Sequence, residues 1–356
     1  MRLFLAGTSF VPSYGGPAVS VARLGTALAA EGVEVGLWAH DGSAALDGTA
    51  GPGVQPLVGP LESAIAQFGT VDVFHDSGLW LPHNHRISVV AHRRRVARIV
   101  SPRGMLEPWA LRHKHWKKRV AWLAYQRRDL RLADTLHAAT EMEARQLSAL
   151  DLGVALAVVP NGVDIPVPIS HLPRPDGKRV VAFLGRIYPV KGLTMLIEAW
   201  SVVRPRNWVL RIAGPDEAGH MKSVQVAVKN AGLSDVVEFL GAVGDAGKRD
   251  LFTSADLLVL PSHSESFGMV IGEALANGVP VLTTTAVPWP DLEASECGWR
   301  VNPTVDGVCG GLERATNLSS DVLRGMGRKG KDLVARSYQW SSIAVQMKIV
   351  YEGIMH

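Results

Sequence analysis

Short apolar runs alternate with amphipathic stretches along the whole chain. The run RLFLAG at residues 2–7 predicts a buried strand, and residues 17–32 predict a helix with Pro17 in its first turn and Gly32 past its end. The apolar run VEVGLWAH at 33–40 predicts the next strand. A strand, a Gly-containing loop, a helix and a strand within about 40 residues predict a βαβ unit with a parallel sheet.

The same order of elements begins again in the second half of the chain. Residues 179–186 predict a strand, the run LTMLIEAWSVV at 193–203 predicts a helix, and 208–214 predict another strand. Further strands are predicted at 236–241, 256–261 and 279–284. We therefore predict an α/β fold with two doubly wound, Rossmann-like domains.

The segment between the halves, residues 161–177, contains four prolines and two glycines and predicts a linker. We predict an N-terminal domain at 1–163, a C-terminal domain at 164–336, and a final helix at 337–356 that packs back on the N-terminal domain. A chain of 356 residues agrees with two domains, because single cores rarely grow beyond about 250–300 residues. The cleft between the domains is the expected ligand site.

Composition narrows the class of protein. Hydrophobic residues make up 47% of the chain and charged residues 20%, which is typical of a globular protein. Only Cys297 and Cys309 are present, too few for a disulfide framework or a Cys-based zinc site. The first apolar run is shorter than that of a signal peptide, and no run approaches the ~18 residues of a membrane span. We expect a soluble cytoplasmic protein.

The net charge of +4 conceals a strongly basic segment. Residues 86–131 contain fourteen Lys or Arg against two acids, Glu107 and Asp129, so the remainder is acidic overall. Such a segment indicates an anionic partner, with phosphate, a lipid headgroup and nucleic acid as the alternatives.

Part of this segment, residues 112–131, predicts a helix with two different sides. One side is apolar and comprises Trp116, Val120, Leu123 and Leu130. The other side comprises Lys118, Trp122 and Tyr125. Aromatic residues beside lysine on an outer face are typical of helices that lie on a membrane surface, so we expect peripheral membrane contact there, with a solvated helix face as the alternative.

Two loops that follow predicted strands carry the candidate chemistry. Arg186 and Lys191 lie five residues apart before a helix, where two cations and the N–H groups of a helix start can hold a diphosphate. The second loop contains Glu265 and Gly268, and Glu273 follows in the predicted helix MVIGEALA. The alternatives are solvated loop cations and two unrelated surface carboxylates.

These residues form a pattern that resembles family 4 (group 1) retaining glycosyltransferases. A glutamate, SFG, a second glutamate eight residues on and then ALANGVPVLTT are similar to the E-x7-E signature of that family. The resemblance extends to GRIYPVKG, to VVPNGVD at the domain join, to AGP at 213–215 and to the ending YQWSSIAVQMKIVYEGI. It covers the C-terminal half closely and the N-terminal half more loosely, and it implies the GT-B fold.

The resemblance also implies a role for each matching residue. Arg186 and Lys191 would neutralise the diphosphate leaving group, Glu273 would hold the ribose hydroxyls, and Glu265 would contact the transferred sugar. Val243 matches a position that lines the base pocket. The implied donor-binding set is Gly15, Gly16, Gly185, Arg186, Lys191, Gly214, Val243, Glu265, Ser266, Phe267, Gly268, Met269, Val270 and Glu273.

The N-terminal half departs from the family pattern at one position. Gly15 and Gly16 match glycines that approach phosphate and acceptor, with a plain tight turn as the alternative. Arg103 stands where the family often has a histidine near the sugar, and a permanently charged contact to phosphate or an acidic sugar is expected from it, with a structural salt bridge as the alternative. His75 and Asp76 end a predicted strand and are expected to face the cleft and orient an acceptor hydroxyl.

The implied reaction moves a sugar from a UDP-sugar or GDP-sugar to a glycan or lipid-linked acceptor, with retention, in bacterial cell-surface polysaccharide synthesis. The catalytic residues would be Arg186, Lys191, Glu265 and Arg103. No metal or other cofactor is expected, because the chain has no Asp-x-Asp motif and cations and helix N-termini would stabilise the leaving group.

Four other functions are alternatives. A sugar-nucleotide epimerase would share the fold and the nucleotide site, while a glycogen-phosphorylase-like enzyme needs a pyridoxal lysine whose context is missing. An NAD-dependent oxidoreductase lacks its G-x-G-x-x-G after the first strand. A nucleic-acid-binding protein would leave both loops unexplained, so no nucleic-acid partner is expected.

Overall fold

The structure, a computed structural model, describes residues 1–11, 14–112, 115–167, 174 and 176–355. The chain divides into two compact units. The N-terminal unit comprises Met1–Gly162 and Tyr338–His356, and the C-terminal unit comprises Val163–Ser337. Residues 168–173 and 175 of the predicted linker lie outside the described residues.

The N-terminal unit is built on a seven-stranded, fully parallel sheet. Its strands are β1 (Arg2–Gly7), β2 (Glu34–Ala39), β3 (Val54–Leu57), β4 (Val73–Ser77), β5 (Ala97–Ser101), β6 (Thr135–Ala138) and β7 (Ala155–Val158). The strand order is β3-β2-β1-β4-β5-β6-β7.

Helices connect these strands. They are α1 (Gly16–Ala30), α2 (Leu61–Phe68), α3 (Pro82–Arg94), α4 (Pro108–Arg112), α5 (His115–Ala121), a π-helix (Trp122–Gln126), α6 (Arg127–Arg131) and α7 (Glu141–Ser148). Strand β1 shows why helices cover both faces of the sheet, since successive side chains of a strand point to opposite faces. Leu3 and Leu5 are buried in one apolar core with α1, whereas Phe4 and Ala6 are buried in another with α2 and α3.

The C-terminal unit has its own parallel sheet of six strands in the order β10-β9-β8-β11-β12-β13. The strands are β8 (Arg179–Leu184), β9 (Trp208–Ala213), β10 (Val237–Gly241), β11 (Leu257–Leu260), β12 (Val281–Thr284) and β13 (Gly298–Val301). The helices are α8 (Leu193–Val203), α9 (His220–Asn230), α10 (Asp245–Ser254), α11 (Met269–Ala276), α12 (Asp291–Ala294), α13 (Val305–Thr316) and α14 (Ser320–Ser337).

The last helix, α15 (Trp340–Glu352), belongs to the N-terminal unit. Its buried side chains Ile343, Ala344, Met347 and Tyr351 share the apolar core that contains Leu3 and Leu5. The Trp340 ring lies against Gly162, where a Cβ atom would come within 2.2 Å of it. The C-terminal end of the chain therefore completes the core of the first unit.

The predicted fold class of two parallel, Rossmann-like α/β domains is confirmed. Helices α8 and α11 and strand β1 have the predicted bounds. In both sheets the chain reverses its direction of winding at one pair of neighbouring strands, β1 and β4 in the first and β8 and β11 in the second. Loops that follow such a pair diverge and leave room for a ligand at the carboxyl edge of the sheet.

The predicted orientation of the basic helix is wrong. Residues 115–131 form α5, the π-helix and α6 without interruption, and residues 113–114 lie outside the described residues. Trp122 and Tyr125, expected on the outer face, are close to Trp80, and the Tyr125 hydroxyl donates to the Trp80 carbonyl at 2.5 Å. Leu123, predicted on the apolar side of the helix, is exposed.

Candidate active site

Two loops meet at the carboxyl edge of the C-terminal sheet, because they follow the neighbouring strands β8 and β11. Gly192 ends the first loop with a φ of +69°, and a Cβ atom there would lie 2.1 Å from the Pro261 carbonyl oxygen. The His263 N–H donates to the Val190 carbonyl at 2.8 Å. The loops are thus packed backbone to backbone, a contact that only glycine permits at position 192.

This packing brings Lys191 and Glu265 together. The Lys191 ammonium lies 2.5 Å from the Glu265 carboxylate, and the Ser262 hydroxyl donates to the same oxygen at 2.7 Å. Both charged side chains are largely buried, with 14% and 11% of their surfaces exposed. A cation held at a sheet edge by one carboxylate is positioned to exchange that partner for an anionic ligand.

Helix α11 begins beside this pair. Gly268 caps it with a φ of +80°, and the Phe267 carbonyl just before it accepts a 2.7 Å hydrogen bond from the Trp289 indole. The first N–H groups of any helix have no carbonyl partner within that helix, and they carry a partial positive charge. Ser266, Met269 and Val270 surround this helix start, the position that a phosphate-binding turn would occupy.

Glu273 lies further along α11, half-buried, and pairs with Lys248 of α10 at 2.5 Å. Val243 is half-buried in the loop between β10 and α10, five residues before Lys248. The predicted ribose-binding carboxylate is therefore held by a lysine that the sequence motifs do not include.

Arg186 is exposed and pairs with Glu217, from the loop after β9, at 2.5 Å. Gly185 and Gly214 directly follow the ends of β8 and β9. A Cβ atom on Gly214 would come within 1.8 Å of the Gly185 carbonyl oxygen, and its φ is +139°. Both cations predicted to bind a diphosphate are thus ion-paired within the C-terminal unit.

In the N-terminal unit, Gly15 precedes α1 with a φ of +101°, and Gly16 is the first residue of that helix. A Cβ atom on Gly15 would have no neighbour within 4 Å among the described residues, so backbone conformation rather than close packing requires glycine there.

Arg103 lies in the turn after β5 and is buried. It has a φ of +54°, and its Nη1 donates to the Asn161 side chain at 2.6 Å. Its Nε and Nη2 are buried without a hydrogen-bond partner among the described residues. Burial lowers the pKa of Arg103, and the nearby Glu143 carboxylate opposes that shift.

Glu143 fixes the turn that carries Arg103. One carboxylate oxygen accepts from the Gly104 N–H at 2.7 Å, and the other accepts from the Ala139 N–H at 2.9 Å. The residue is 3% exposed, and burial raises the pKa of its carboxyl group. Glu143 is a positioning residue that the sequence did not reveal.

The prediction that His75 and Asp76 face an open site is wrong, because both are fully buried in the middle of the sheet. Asp76 accepts from Asn84 at 2.8 Å and pairs with Arg98 at 3.4 Å, and burial raises its pKa to about 6. His75 bonds the Tyr351 hydroxyl and the Ser101 hydroxyl at 2.7 and 2.6 Å. Strand β4 continues to Ser77, so neither residue is at its end.

The structure therefore brings together the loop residues around Lys191, Glu265 and Gly268, and it adds the partners Ser262, Glu217 and Lys248 to the neighbourhood. Within the described part of the chain, no group of three or more His, Cys, Asp or Glu side chains is arranged to hold a metal ion. None of the described helices has both the length and the apolar character needed to span a bilayer.

Two family models match the two parallel-sheet units and give the class of protein. The family model for glycosyl transferase 4-like domains matches residues 15–162, and the model for group 1 glycosyl transferases matches residues 169–306. The chain belongs to the group 1 glycosyltransferases of family 4, and the predicted membership is confirmed.

Two curated relatives illustrate the degree of similarity. The D-inositol 3-phosphate glycosyltransferase of Actinosynnema mirum is 35% identical over 42% of this chain and 40% of its own length. The phosphatidyl-myo-inositol mannosyltransferase of Mycobacterium leprae is 32% identical over 59% of this chain and 57% of its own length. The chain spans about half the length of the curated relatives that it matches.

Solved structures of GT-B glycosyltransferases share the fold. A sucrose-phosphate synthase from Thermosynechococcus elongatus has a TM-score of 0.80 at 19% identity and covers 99% of this chain and 98% of its own. HepE of Anabaena, solved with UDP and glucose, has a TM-score of 0.73 at 17% identity and covers 99% and 100% of the two chains. At this identity the likeness establishes the fold alone.

Proposed function

We propose that the protein transfers a sugar from a nucleoside diphosphate sugar to an acceptor. The observation that carries this proposal is the Lys191–Glu265 pair beside the start of α11. A buried cation and a helix N-terminus next to each other favour a diphosphate, and the adjoining carboxylate suits sugar hydroxyls. Two of the relatives named above are glycosyltransferases, and HepE was solved with UDP, which supports the same class of donor.

The chemistry follows from where charge develops. When the bond between the sugar and the diphosphate breaks, negative charge grows on the phosphate oxygens, and preorganised cations lower the barrier. Lys191 and Arg186 supply that positive charge, and each charge-assisted hydrogen bond contributes about 1.5–3 kcal/mol. Glu265 then binds the transferred sugar, and Glu273 binds the ribose.

Donor binding on this proposal is an exchange of ion pairs. Lys191 leaves Glu265 and Arg186 leaves Glu217 when they contact the diphosphate, which frees the Glu265 carboxylate for sugar hydroxyls. Because the free protein already neutralises its cations, the site avoids buried unpaired charge before the donor arrives.

We further propose that the reaction retains the configuration of the sugar and needs no double-displacement nucleophile, as the family resemblance implies. The departing phosphate accepts the proton of the acceptor.

The acceptor is a glycan or a lipid-linked sugar of a bacterial surface polysaccharide, and Arg103 contacts a phosphate or acidic group on the acceptor or sugar. His75 and Asp76 take no part, because both side chains are fully buried and hydrogen-bonded within the N-terminal unit.

Metal independence is a separate part of the proposal. The donor is a UDP-sugar or a GDP-sugar, and the cations of the site replace a divalent ion. We expect transfer and donor hydrolysis to survive EDTA with less than about a twofold loss of rate, since no bound metal is required. Complete loss with EDTA that Mn²⁺ or Mg²⁺ restores would contradict metal independence while leaving glycosyl transfer intact.

A thermal-shift panel with UDP, GDP, NAD and single-stranded DNA tests the class of ligand. We expect one or both nucleoside diphosphates to raise the melting temperature, because a ligand that binds only the folded state stabilises it. Stabilisation by NAD or by DNA alone would contradict the proposal.

The same proposal includes peripheral contact between residues 112–131 of the basic segment and an anionic membrane surface. Its support is the concentration of positive charge in residues 86–131, fourteen Lys or Arg against two acids.

A further inference from the structure

An apolar groove opens on the surface of the N-terminal unit, between the loops that follow β4 and β5 and the start of the helical stretch at 115–131. It has a volume of about 430 Å³ and is lined by Trp80, Leu106, Leu111, Trp122, Leu123 and Leu150. Aromatic and aliphatic side chains form most of its wall, so an occupant must be largely hydrocarbon.

The rim of this groove is basic. His115, Lys118 and Arg119 line the groove together with the apolar residues. Lys118 donates to the Ala110 carbonyl at 2.6 Å and lies 5.7 Å from the centre of the Trp80 ring, so its charge is fixed at the groove mouth. In a molecule with a hydrocarbon chain and an anionic group, the chain would contact the apolar wall and the anionic group would contact the basic rim.

An exposed apolar face continues from the groove. Trp116, Val120 and Leu123 lie at helical spacing and are 60%, 61% and 82% exposed. Lys117, which stacks on the Trp116 ring, and Arg119 flank them. Large apolar side chains flanked by cations on the outside of a helix are characteristic of helices that lie in a lipid headgroup region.

We propose that this groove takes one hydrocarbon chain of an anionic bilayer lipid while Trp116, Val120 and Leu123 enter the headgroup region. The proposal rests on the membrane contact proposed above and specifies which side of the helix is inserted, namely the side opposite Trp122 and Tyr125. Trp122 lines the groove, and Tyr125 donates a hydrogen bond to Trp80, which also lines it. Charge complementarity selects a lipid over a second copy of this chain, because two copies would bring two basic segments together.

Vesicle co-sedimentation of the full chain tests the surface. We expect binding to phosphatidylcholine vesicles that contain phosphatidylglycerol and none to phosphatidylcholine alone. Leu123→Asp should weaken binding roughly tenfold to a hundredfold, since it removes an inserted leucine and adds a charge of the same sign as the lipid. The matched control is Val226→Asp on α9, at a half-exposed apolar position of the other unit, which should bind as the parent does.

Tryptophan quenching by lipids brominated along the acyl chain tests the groove. The difference between the parent and Trp122→Phe isolates the emission of Trp122, and we expect that emission to be quenched. Vesicle binding without quenching of Trp122 would contradict the claim that a lipid chain enters the groove, but it would agree with the proposed surface contact. Absence of vesicle binding, or a dimer that Leu123→Asp dissociates, would overturn both.

Nucleotide affinity measured on the same samples keeps this test separate from the proposed donor. Leu123→Asp should bind the nucleoside diphosphate as tightly as the parent, because Leu123 lies in the N-terminal unit and Lys191 and Glu265 lie in the C-terminal unit. Equal loss of nucleotide and vesicle binding would indicate damage to the fold and would overturn the assignment to this face.

Discussion

Glycine at position 192 allows the loops that follow β8 and β11 to pack against each other. Its φ of +69° already favours glycine, and the nearby Pro261 carbonyl leaves no room for a Cβ atom. Gly219 has a similar φ of +74°, but a Cβ atom there would have no described neighbour within 4 Å. Both positions therefore have a backbone conformation that favours glycine, but only position 192 lacks room for a Cβ atom.

Substituting these two glycines separates backbone strain from packing. Gly219→Ala should lower the free energy of unfolding by roughly 1–2 kcal/mol, the cost of a left-handed conformation for alanine. Gly192→Ala should cost roughly 1–3 kcal/mol more, because the loops must also move apart. Chemical denaturation measures both, and nucleotide affinity should fall only for Gly192→Ala. Equal effects of the two variants would show that the contact with Pro261 is unimportant.

A hydrogen-bonded chain links several elements of the N-terminal unit. The His137 Nε2–H donates to the Val159 carbonyl at 2.8 Å, so its Nδ1 accepts from the Ser101 hydroxyl. Ser101 in turn accepts from His75 Nε2, and His75 Nδ1 accepts from the Tyr351 hydroxyl of α15. Every group has a partner only if both rings are neutral, and burial lowers the pKa of His137 to about 3 and that of His75 well below its ordinary value.

Tyr351→Phe tests the link between α15 and the sheet. It leaves His75 Nδ1 buried without a donor, and we expect a loss of about 1–3 kcal/mol in the free energy of unfolding. Val345→Ala on the exposed side of α15 is the control and should change stability by less than about 0.5 kcal/mol. A neutral effect of Tyr351→Phe would mean that α15 docks through its apolar side chains alone.

Acidification should destabilise the N-terminal unit. Below pH 6.5 the unfolded chain protonates His75 and His137 while the native chain does not, so stability present above pH 6.5 is lost as the pH falls. Asp76 acts in the opposite direction between its ordinary value of 3.8 and about 6, because the native carboxyl binds a proton first. Burial also lowers the pKa of His83 to about 4, which adds to the loss, and raises the pKa of the Glu143 carboxyl, which opposes it. Three histidines outweigh two carboxyl groups, so the net effect is a loss of stability.

Denaturation at a series of pH values measures this balance. The parent should lose stability below pH 6.5, and His137→Asn should remove one proton from the slope, about 1.4 kcal/mol per pH unit. Stability that is unchanged between about pH 7 and pH 5 in the parent would contradict the neutral chain of hydrogen bonds.

At the scale of the whole molecule, the sequence predicts what local patterns determine. Helices α8 and α11 have the bounds that the sequence predicts, because apolar spacing and flanking glycines mark them. Lys191 meets Glu265 because the two loops that carry them follow strands β8 and β11, which are neighbours in the sheet. The sequence motifs single out these two loops, but they do not predict which charged side chains pair. Lys248 and Glu143 were missed because Glu273 and Gly104, which they contact, are distant from them in sequence and no motif connects them.

The basic segment shows where a regular pattern fails. A helical wheel places Leu123 and Leu130 on one side, yet Leu123 is exposed and Leu130 is buried. The π-helix at Trp122–Gln126 contains Leu123 and precedes Leu130, and its wider turn rotates the residues that follow relative to a regular wheel. The burial of His75 and Asp76 likewise depends on helices packed on both faces of the sheet, which the strand's own residues do not reveal.

Hydrolysis of a panel of nucleotide sugars without acceptor, read as released nucleotide, tests the central claim most directly. We predict that the parent hydrolyses at least one UDP-sugar or GDP-sugar, in the presence of EDTA, and that Lys191→Met lowers the rate roughly tenfold or more. Lys229→Met on the exposed end of α9 should leave the rate unchanged. No hydrolysis of any donor, or equal rates for the parent and Lys191→Met, would contradict the account.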